Sequence, residues 1–202
     1  MIIRSLELSG YRNYKEEAFD FANGTNVFYG KNAQGKTNAL EAIFYCATGK
    51  SYRGTKDKDI IGFDQKEGHI KLISEKDGLP HRIDMHLKKG KRKGIAIDGI
   101  PLKRAVDLFG IINVVIFAPE NLSIIKDAPS ERRNFIDVAL CQLDKIYTYN
   151  LINYNKIIAQ KNKLLKQIDN DCNLKDTLSV WNEHFVDRIE KCGRWQNEND
   201  SG

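Results

Sequence analysis

At 202 residues, with 41% apolar and 29% charged residues, the chain has the composition of an ordinary soluble protein and the length for one cored domain plus an extension. No stretch approaches the ~18 apolar residues of a membrane span, and the start lacks a basic-then-apolar leader, so a cytosolic protein with no membrane partner is expected. Cys46, Cys141, Cys172 and Cys192 form no C-x-x-C pair, and His69, His81, His86 and His184 form no ligand-spaced cluster, which argues against a zinc site or a disulfide framework. The net charge of +5 is mild but unevenly placed.

The chain opens on alternation: Leu6 and Leu8 between Ser5, Glu7 and Ser9 give a half-buried strand ended by Gly10, and Phe19 and Phe21 around Asp20 give a second. Asn23-Gly24 makes a turn, after which Val27-Phe28-Tyr29 reads as a short buried strand. It leads into Gly30-Lys31-Asn32-Ala33-Gln34-Gly35-Lys36-Thr37, a match to G-x-x-x-x-G-K-[ST] at every fixed position. Asn38 to Cys46 then reads as a helix, apolar on nearly every side and therefore buried, with Gly49 as its stop.

The spacing of that loop has a chemical reason. Gly30 and Gly35 allow a tight turn in which successive N–H groups converge on phosphate oxygens, and the following helix adds its positive dipole end. Lys36 is placed to reach the β- and γ-phosphates, and the Thr37 hydroxyl to ligate Mg²⁺. A nucleoside triphosphate site with ATP and Mg²⁺ follows; a Gly-Lys surface loop with no ligand is the alternative.

From Gly68 to Asp98 the pattern is an antiparallel meander: Ile70 and Leu72, then Ile83, Met85 and Leu87, then Ile95 and Ile97, with turns at Lys76-Asp77-Gly78 and Asp98-Gly99. Its tip holds Lys88, Lys89, Lys91, Arg92 and Lys93 around Gly90, which suits an anionic partner such as DNA or forms a solvated hairpin end. Lys103 to Phe109 reads as a short helix, and the continuous apolar run Ile112 to Phe117 as a strand covered on both faces, which implies a mixed sheet. After Pro129 the chain reads as helix for nearly forty residues, through Ile136, Leu140, Leu143, Tyr147, Leu151, Tyr154, Ile158, Leu165 and Ile168, with Lys161 in the seam. Asp169 to Asn173 breaks it, and Leu174, Leu178, Trp181, Phe185 and Ile189 repeat the spacing, giving either a projecting hairpin arm or a helical cap on the sheet. The expected organisation is an α/β head lobe over 1–129, an incomplete helical arm over 130–192 and a frayed tail over 193–202.

An acidic strand able to hold Mg²⁺ and orient water is not found: Ile95 to Asp98 is too short, and Ile111 to Glu120 is interrupted by Pro119. Leu8-Ser9-Gly10 is similar to the opening of an ABC-type signature but lies upstream of the phosphate loop, in the wrong place for one. A small-molecule kinase or GTPase would need an acceptor site or an Asn-Lys-x-Asp sequence, and neither is visible.

Several segments together resemble the N-terminal portion of the RecF family of DNA replication and repair proteins, allied to the SMC and Rad50 group of ABC-type ATPases. They are Leu6 to Tyr14, Phe28 to Ile43, Gly49 to Arg53, Ile97-Asp98-Gly99, Phe117 to Glu120, Pro129 to Arg133 and Phe135-Ile136-Asp137. The resemblance implies a P-loop ABC-type ATPase head, of which this chain is the N-terminal lobe. It implies ATP sandwiched between two heads of a homodimer, and binding to single-stranded DNA and gapped duplex. It also implies action with RecO and RecR in helping RecA assemble, in recombinational repair and the SOS response. It brings Arg12 and Asn13, in the loop after the first strand, near the nucleotide. It further implies that the signature and the acidic magnesium strand belong to a C-terminal half that this chain lacks. Ala33 stands where the family usually has Gly.

Overall fold

The computed structural model describes residues 1–119 and 129–168. It divides into two compact units, 1–143 and 144–202. The helix opening at Pro129 falls within the first unit.

The first unit is built on one six-stranded sheet: β1 (Ile2–Tyr11), β2 (Tyr14–Asp20), β3 (Glu67–Lys76), β4 (Leu79–Lys88), β5 (Gly94–Ile97) and β6 (Ile100–Pro101), in the order β2-β1-β3-β4-β5-β6. Every pairing in it is antiparallel. The register explains why the alternation was so regular. Leu6 faces Leu72 and Leu8 faces Ile70; Ile70 and Leu72 then face Met85 and Ile83, and Met85 faces Ile95. Side chains two apart share a face, so these rows fuse into one apolar surface. The opposite face is charged, with Lys71 bonded to Glu7 at 2.8 Å and Arg82 to Asp84.

Helix α1 (Lys36–Thr48) lies in the same core as that apolar surface, burying Ala39, Ala42, Ile43, Tyr45, Cys46 and Ala47. Its end is fixed by Gly49, whose φ of 70° lets its N–H reach back to the Tyr45 carbonyl at 2.8 Å. A short helix α2 (Asp57–Ile60) and a 3-10 turn (Ala105–Leu108) complete the lobe, the latter at the Lys103–Phe109 stretch read as a short helix.

At one end of the sheet the backbones come unusually close. A Cβ on Gly10 would sit 2.5 Å from the Glu67 carbonyl oxygen, and one on Gly68 would sit 2.7 Å from that of Gly10. With Gly10 at φ 57°, no other residue fits there without moving the chain.

Two expected strands do not form. Val27-Phe28-Tyr29 forms no strand, and Phe28 is the one of the three that packs, against Phe19 and Phe21 at 5.6 and 6.0 Å. Val27 and Tyr29 are 76% and 91% exposed. The run 112–117 behaves likewise: Ile112 is buried and Val114 and Ile116 half-buried, while Val115 and Phe117 are 85% and 84% exposed. The Val114 N–H is taken by the Gln142 side chain at 2.7 Å, a side-chain substitute for a strand neighbour. Apolar residues on both faces signalled burial correctly on one side; the strand-like pairing described for these segments is a single isolated parallel bridge between Phe109 and Ile112. The six-stranded sheet is thus antiparallel throughout, and the parallel bridge from Phe109 to Ile112 lies outside it.

The long helix is also two. Helix α3 (Pro129–Leu143) ends before Asp144, and α4 (Lys145–Ile168) begins after it. Asp144 makes the break by acting as a cap, its carboxylate accepting the Ile146 N–H at 2.7 Å and its carbonyl the Thr148 N–H at 3.2 Å. The returning arm helix at Leu174 to Ile189 and the tail over 193–202 lie outside the described residues. So do Cys172, Cys192, His184 and Glu120. No helix among the described residues is long and apolar enough to cross a membrane.

Candidate functional site

The loop from Gly30 to Thr37 is closed on itself. Its turn is made by positive φ angles at Gly30 (140°), Ala33 (63°) and Gly35 (96°). Ala33 thus occupies a left-handed position, where a side chain costs about 1–2 kcal/mol relative to glycine. Gly35 has a second constraint, since a Cβ there would meet Asn13 Nδ2 at 2.7 Å and Tyr14 Cζ at 2.8 Å.

Lys36 crosses back over the loop. Its Nζ donates to the carbonyl oxygens of Gly30 at 2.9 Å and Lys31 at 2.6 Å, tying the first residues of the loop to the last. An ammonium has three donors, so one remains for a ligand. The N-terminus of α1 has no side-chain cap and no acidic residue in its first turn. The helix therefore begins with orphan N–H groups and an uncompensated positive dipole end, a seat that an anion fits. Thr37 sits exposed in that first turn, and Lys31, Asn32, Ala33 and Gln34 are exposed around the loop. The residues present fit a triphosphate: an uncapped helix N-terminus, one ammonium and one accessible hydroxyl.

The two residues of the β1–β2 turn part ways. Asn13 lies against the loop, donating to the Gln34 carbonyl at 3.2 Å and accepting from Asn38 at 2.8 Å. Arg12 instead turns inward. Its guanidinium grips the Glu41 carboxylate at 2.7 and 3.0 Å and also reaches Thr55 Oγ1 and the Asp59 carbonyl. Burial works against the charge of Arg12, and the Glu41 carboxylate more than offsets it, holding the guanidinium above its ordinary range. Among the interactions described, Arg12 supports the site from within rather than lining it.

Glu41 is the residue the sequence reading missed. It is fully buried in α1, accepts from Arg12 and from the Ser51 hydroxyl, and has Arg53 at 3.8 Å. Arg53 also donates to Asn38 at 3.1 Å. A chain of polar contacts therefore runs from the loop through Asn13, Asn38 and Arg53 to Glu41 and Arg12. The available signal was a lone carboxylate on a helix otherwise apolar on almost every side, which must be paired if it is buried.

The basic tip is more divided than its sequence suggests. Lys88 pairs with Glu67 at 3.2 Å, Lys89 donates to the Phe63 carbonyl at 3.2 Å, and Arg92 to the Lys103 carbonyl at 3.2 Å. Lys93 departs from the expectation of a surface contact. Its side chain is only 15% exposed and is tied to Asp57 at 3.0 Å, to the Tyr45 hydroxyl at 3.0 Å and to the Gly49 carbonyl. Tyr45 is in turn pushed well above the usual phenol range by burial and by its bond to Asp57. That leaves Lys88, Lys89, Lys91 and Arg92 outward at the tip, and Lys93 as a buried anchor.

The sequence profile of the AAA domain family matches residues 5–191. The chain is 59% identical over 186 residues to the DNA replication and repair protein RecF of Lachnoclostridium phytofermentans, covering 92% of this chain and 52% of that protein. It is 55% identical over 188 residues to that of Lachnospira eligens, with the same coverage of 92% and 52%. A solved structure of the recombination mediator protein RecF-ATP in the RecFOR pathway superposes with a TM-score of 0.92 at 31% identity, covering 99% of this chain and 54% of that one. A structure described with ATP-driven dimerization of SMC ATPases superposes at 0.55 and 21% identity over 68% of this chain and 99% of that one, a likeness of fold. The chain spans about half the length of the curated RecF relatives it matches, and it belongs to the AAA domain family.

Proposed function

We propose that this chain binds ATP with Mg²⁺ at Gly30 to Thr37, as the nucleotide-binding lobe of a RecF-type DNA replication and repair protein. The observation that carries the proposal is the bridge from Lys36 Nζ to the Gly30 and Lys31 carbonyls beside an uncapped helix N-terminus. In it the backbone N–H groups and the α1 dipole hold the phosphates, Lys36 neutralises the terminal pair, and Thr37 supplies the hydroxyl ligand for the metal. Bound Mg²⁺ contributes charge neutralisation across the phosphate oxygens. Asn13 and Asn38 fix the shape of the loop, and Arg12 and Glu41 fix the turn that carries Asn13.

The family relationship supports the wider reading: contact with single-stranded DNA and gapped duplex, work with RecO and RecR to help RecA assemble, cytoplasmic location, and an ATP-dependent homodimer. On the chain itself, that reading rests on the outward Lys88, Lys89, Lys91 and Arg92. The proposal for this chain is nucleotide binding, not turnover. Val27, Tyr29, Val115 and Phe117 expose apolar side chains on two segments outside the sheet, one of them leading straight into the loop. Strands from the half of the relatives that this chain does not span are proposed to cover them.

Thermal unfolding with and without Mg-ATP tests the core of the proposal. A site held at about 100 times its dissociation constant adds ~2.7 kcal/mol of apparent stability. Lys36→Ala is expected to remove that increment and leave the unliganded transition unchanged. An ATP-induced shift of equal size in Lys36→Ala, or none in the wild-type chain, overturns it.

A further inference from the structure

Beside the basic tip a second turn carries an aromatic residue that the core does not use. The Gly62–Gln65 turn is closed by the Gln65 N–H on the Gly62 carbonyl at 2.9 Å. It is held to the sheet end by the Gly62 N–H on the Gly10 carbonyl at 2.9 Å, the Arg12 N–H on the Ile60 carbonyl at 2.7 Å, and a bridge between Tyr11 and Ile61. Gly62 lies against its neighbours so closely that a Cβ would stand 3.2 Å from the Arg12 carbonyl oxygen. The turn is therefore anchored at several points, yet the Phe63 side chain at its apex is 95% exposed. A phenyl ring that folding leaves in water, on a base with little freedom to bury it, is preorganised for something outside the molecule.

Its surroundings indicate what. Lys89 Nζ bonds the Phe63 carbonyl at 3.2 Å, and the Lys89 N–H bonds the Lys66 carbonyl at 3.1 Å, so the two turns form one surface. Lys66 and Lys91 are exposed on it, and neither makes a side-chain hydrogen bond or ion pair among the described residues. The acidic groups nearby are Asp64, on the turn, and Glu67, which is taken up by Lys88 at 3.2 Å and His86 at 3.3 Å. The two joined turns thus present an exposed aromatic ring whose own carbonyl is bonded by Lys89, with Lys66 and Lys91 exposed on the same pair of turns. Unstacked bases bind aromatic faces while their phosphates bind cations; duplex DNA offers the phosphates without the free base faces.

We infer that Phe63, with Lys66, Lys89 and Lys91 around it, is a single-strand contact in which one base stacks on the ring while flanking phosphates meet the lysines. This rests on the DNA-binding reading of the basic tip and adds to it a strand preference and the residue responsible.

Fluorescence anisotropy of the full chain with labelled oligothymidylate and with a hairpin duplex, across about 50 to 200 mM salt, tests it. Phe63→Ala is expected to weaken oligothymidylate binding by about 5- to 150-fold with an unchanged salt slope, and to leave duplex binding as it was. Phe63→Trp is expected to restore the affinity. Lys66→Ala and Lys91→Ala are each expected to make the single-strand slope shallower by about 0.7. If Phe63→Ala binds oligothymidylate like the wild type while salt-dependent binding persists, the inference falls and the DNA reading stands. If the wild-type chain binds neither DNA, both fall. Polyglutamate displacing the oligonucleotide at equal charge overturns the inference in favour of an acidic protein partner.

Discussion

Glu41 offers the sharpest test of how the lobe is held together. Its carboxylate is fully buried, and it accepts from Arg12 through both oxygens at 2.7 and 3.0 Å and from the Ser51 hydroxyl. Glu41→Ala removes the only carboxylate described against Arg12 and leaves a guanidinium whose side chain is 17% exposed facing a hole. Breaking a buried pair from one side costs about 3–5 kcal/mol, because the abandoned charge keeps its desolvation penalty. Against a total stability of about 5–15 kcal/mol that is a large share. With a urea m-value of about 2 kcal/mol/M, the midpoint falls by roughly 2 M. Glu41→Gln keeps the volume but turns an N–H₂ towards donors, so it is expected to cost nearly as much. Arg12→Ala with Glu41→Ala is expected to cost less than the sum of the singles, since neither charge is then stranded. Urea unfolding followed by far-ultraviolet circular dichroism reads the wild type and the four variants. A Glu41→Gln variant within about 1 kcal/mol of the wild type would refute the reasoning, because only a carboxylate that contributes little beyond one neutral hydrogen bond behaves that way.

Lys93→Met keeps the apolar stem but removes the ammonium from Asp57, the Tyr45 hydroxyl and the Gly49 carbonyl. It is expected to cost about 1–3 kcal/mol in the same unfolding assay and to leave the salt slope of DNA binding unchanged, whereas a shallower slope would return Lys93 to the surface tip. Alkaline pH is expected to unfold the lobe. Tyr11 is held far above the usual phenol range by burial and then by the Glu41 charge, Tyr45 by burial and its bond to Asp57, and Cys46 above the usual thiol range by burial. A raised folded value means the protonated form is favoured in the fold, so this stability is complete below the unfolded values of about 8.5 for Cys and 10 for Tyr. It is then lost as pH rises past them, at up to ~1.4 kcal/mol per pH unit for each group. A urea midpoint that stays flat between about pH 9 and 11 would contradict this, and Tyr11→Phe is expected to make the fall less steep.

What could be read from the chain alone divides along a physical line. The meander was legible because β1, β3, β4 and β5 each carry their own alternation, and the pairs Leu72–Ile83 and Ile70–Met85 follow once the turn at Asp77-Gly78 is set. The phosphate loop was legible because its geometry is local: Gly30, Gly35 and Lys36 fix it within eight residues, whereas the departure at Ala33, which takes a positive φ, was marked by the family resemblance alone. Val27-Phe28-Tyr29 and Ile112 to Phe117 were misread as strands because an apolar run reports which surfaces seek cover, whereas a strand also needs a neighbour to share hydrogen bonds. Asp144 was hidden for the opposite reason: the apolar spacing continues across it, and only its cap on Ile146 interrupts the backbone. The Glu41 network was invisible because Arg12, Glu41, Ser51 and Arg53 are brought together by the fold, not by spacing. The same separation applies to the site. Its donors are set by local sequence, but Asn13 reaches the loop only because Arg12, next to it, is fastened to Glu41 inside α1. The loop in this lobe is thus tied to the sheet by a buried ion pair that the phosphate-loop motif itself does not include, and a change at Glu41 is expected to reach the loop without touching it.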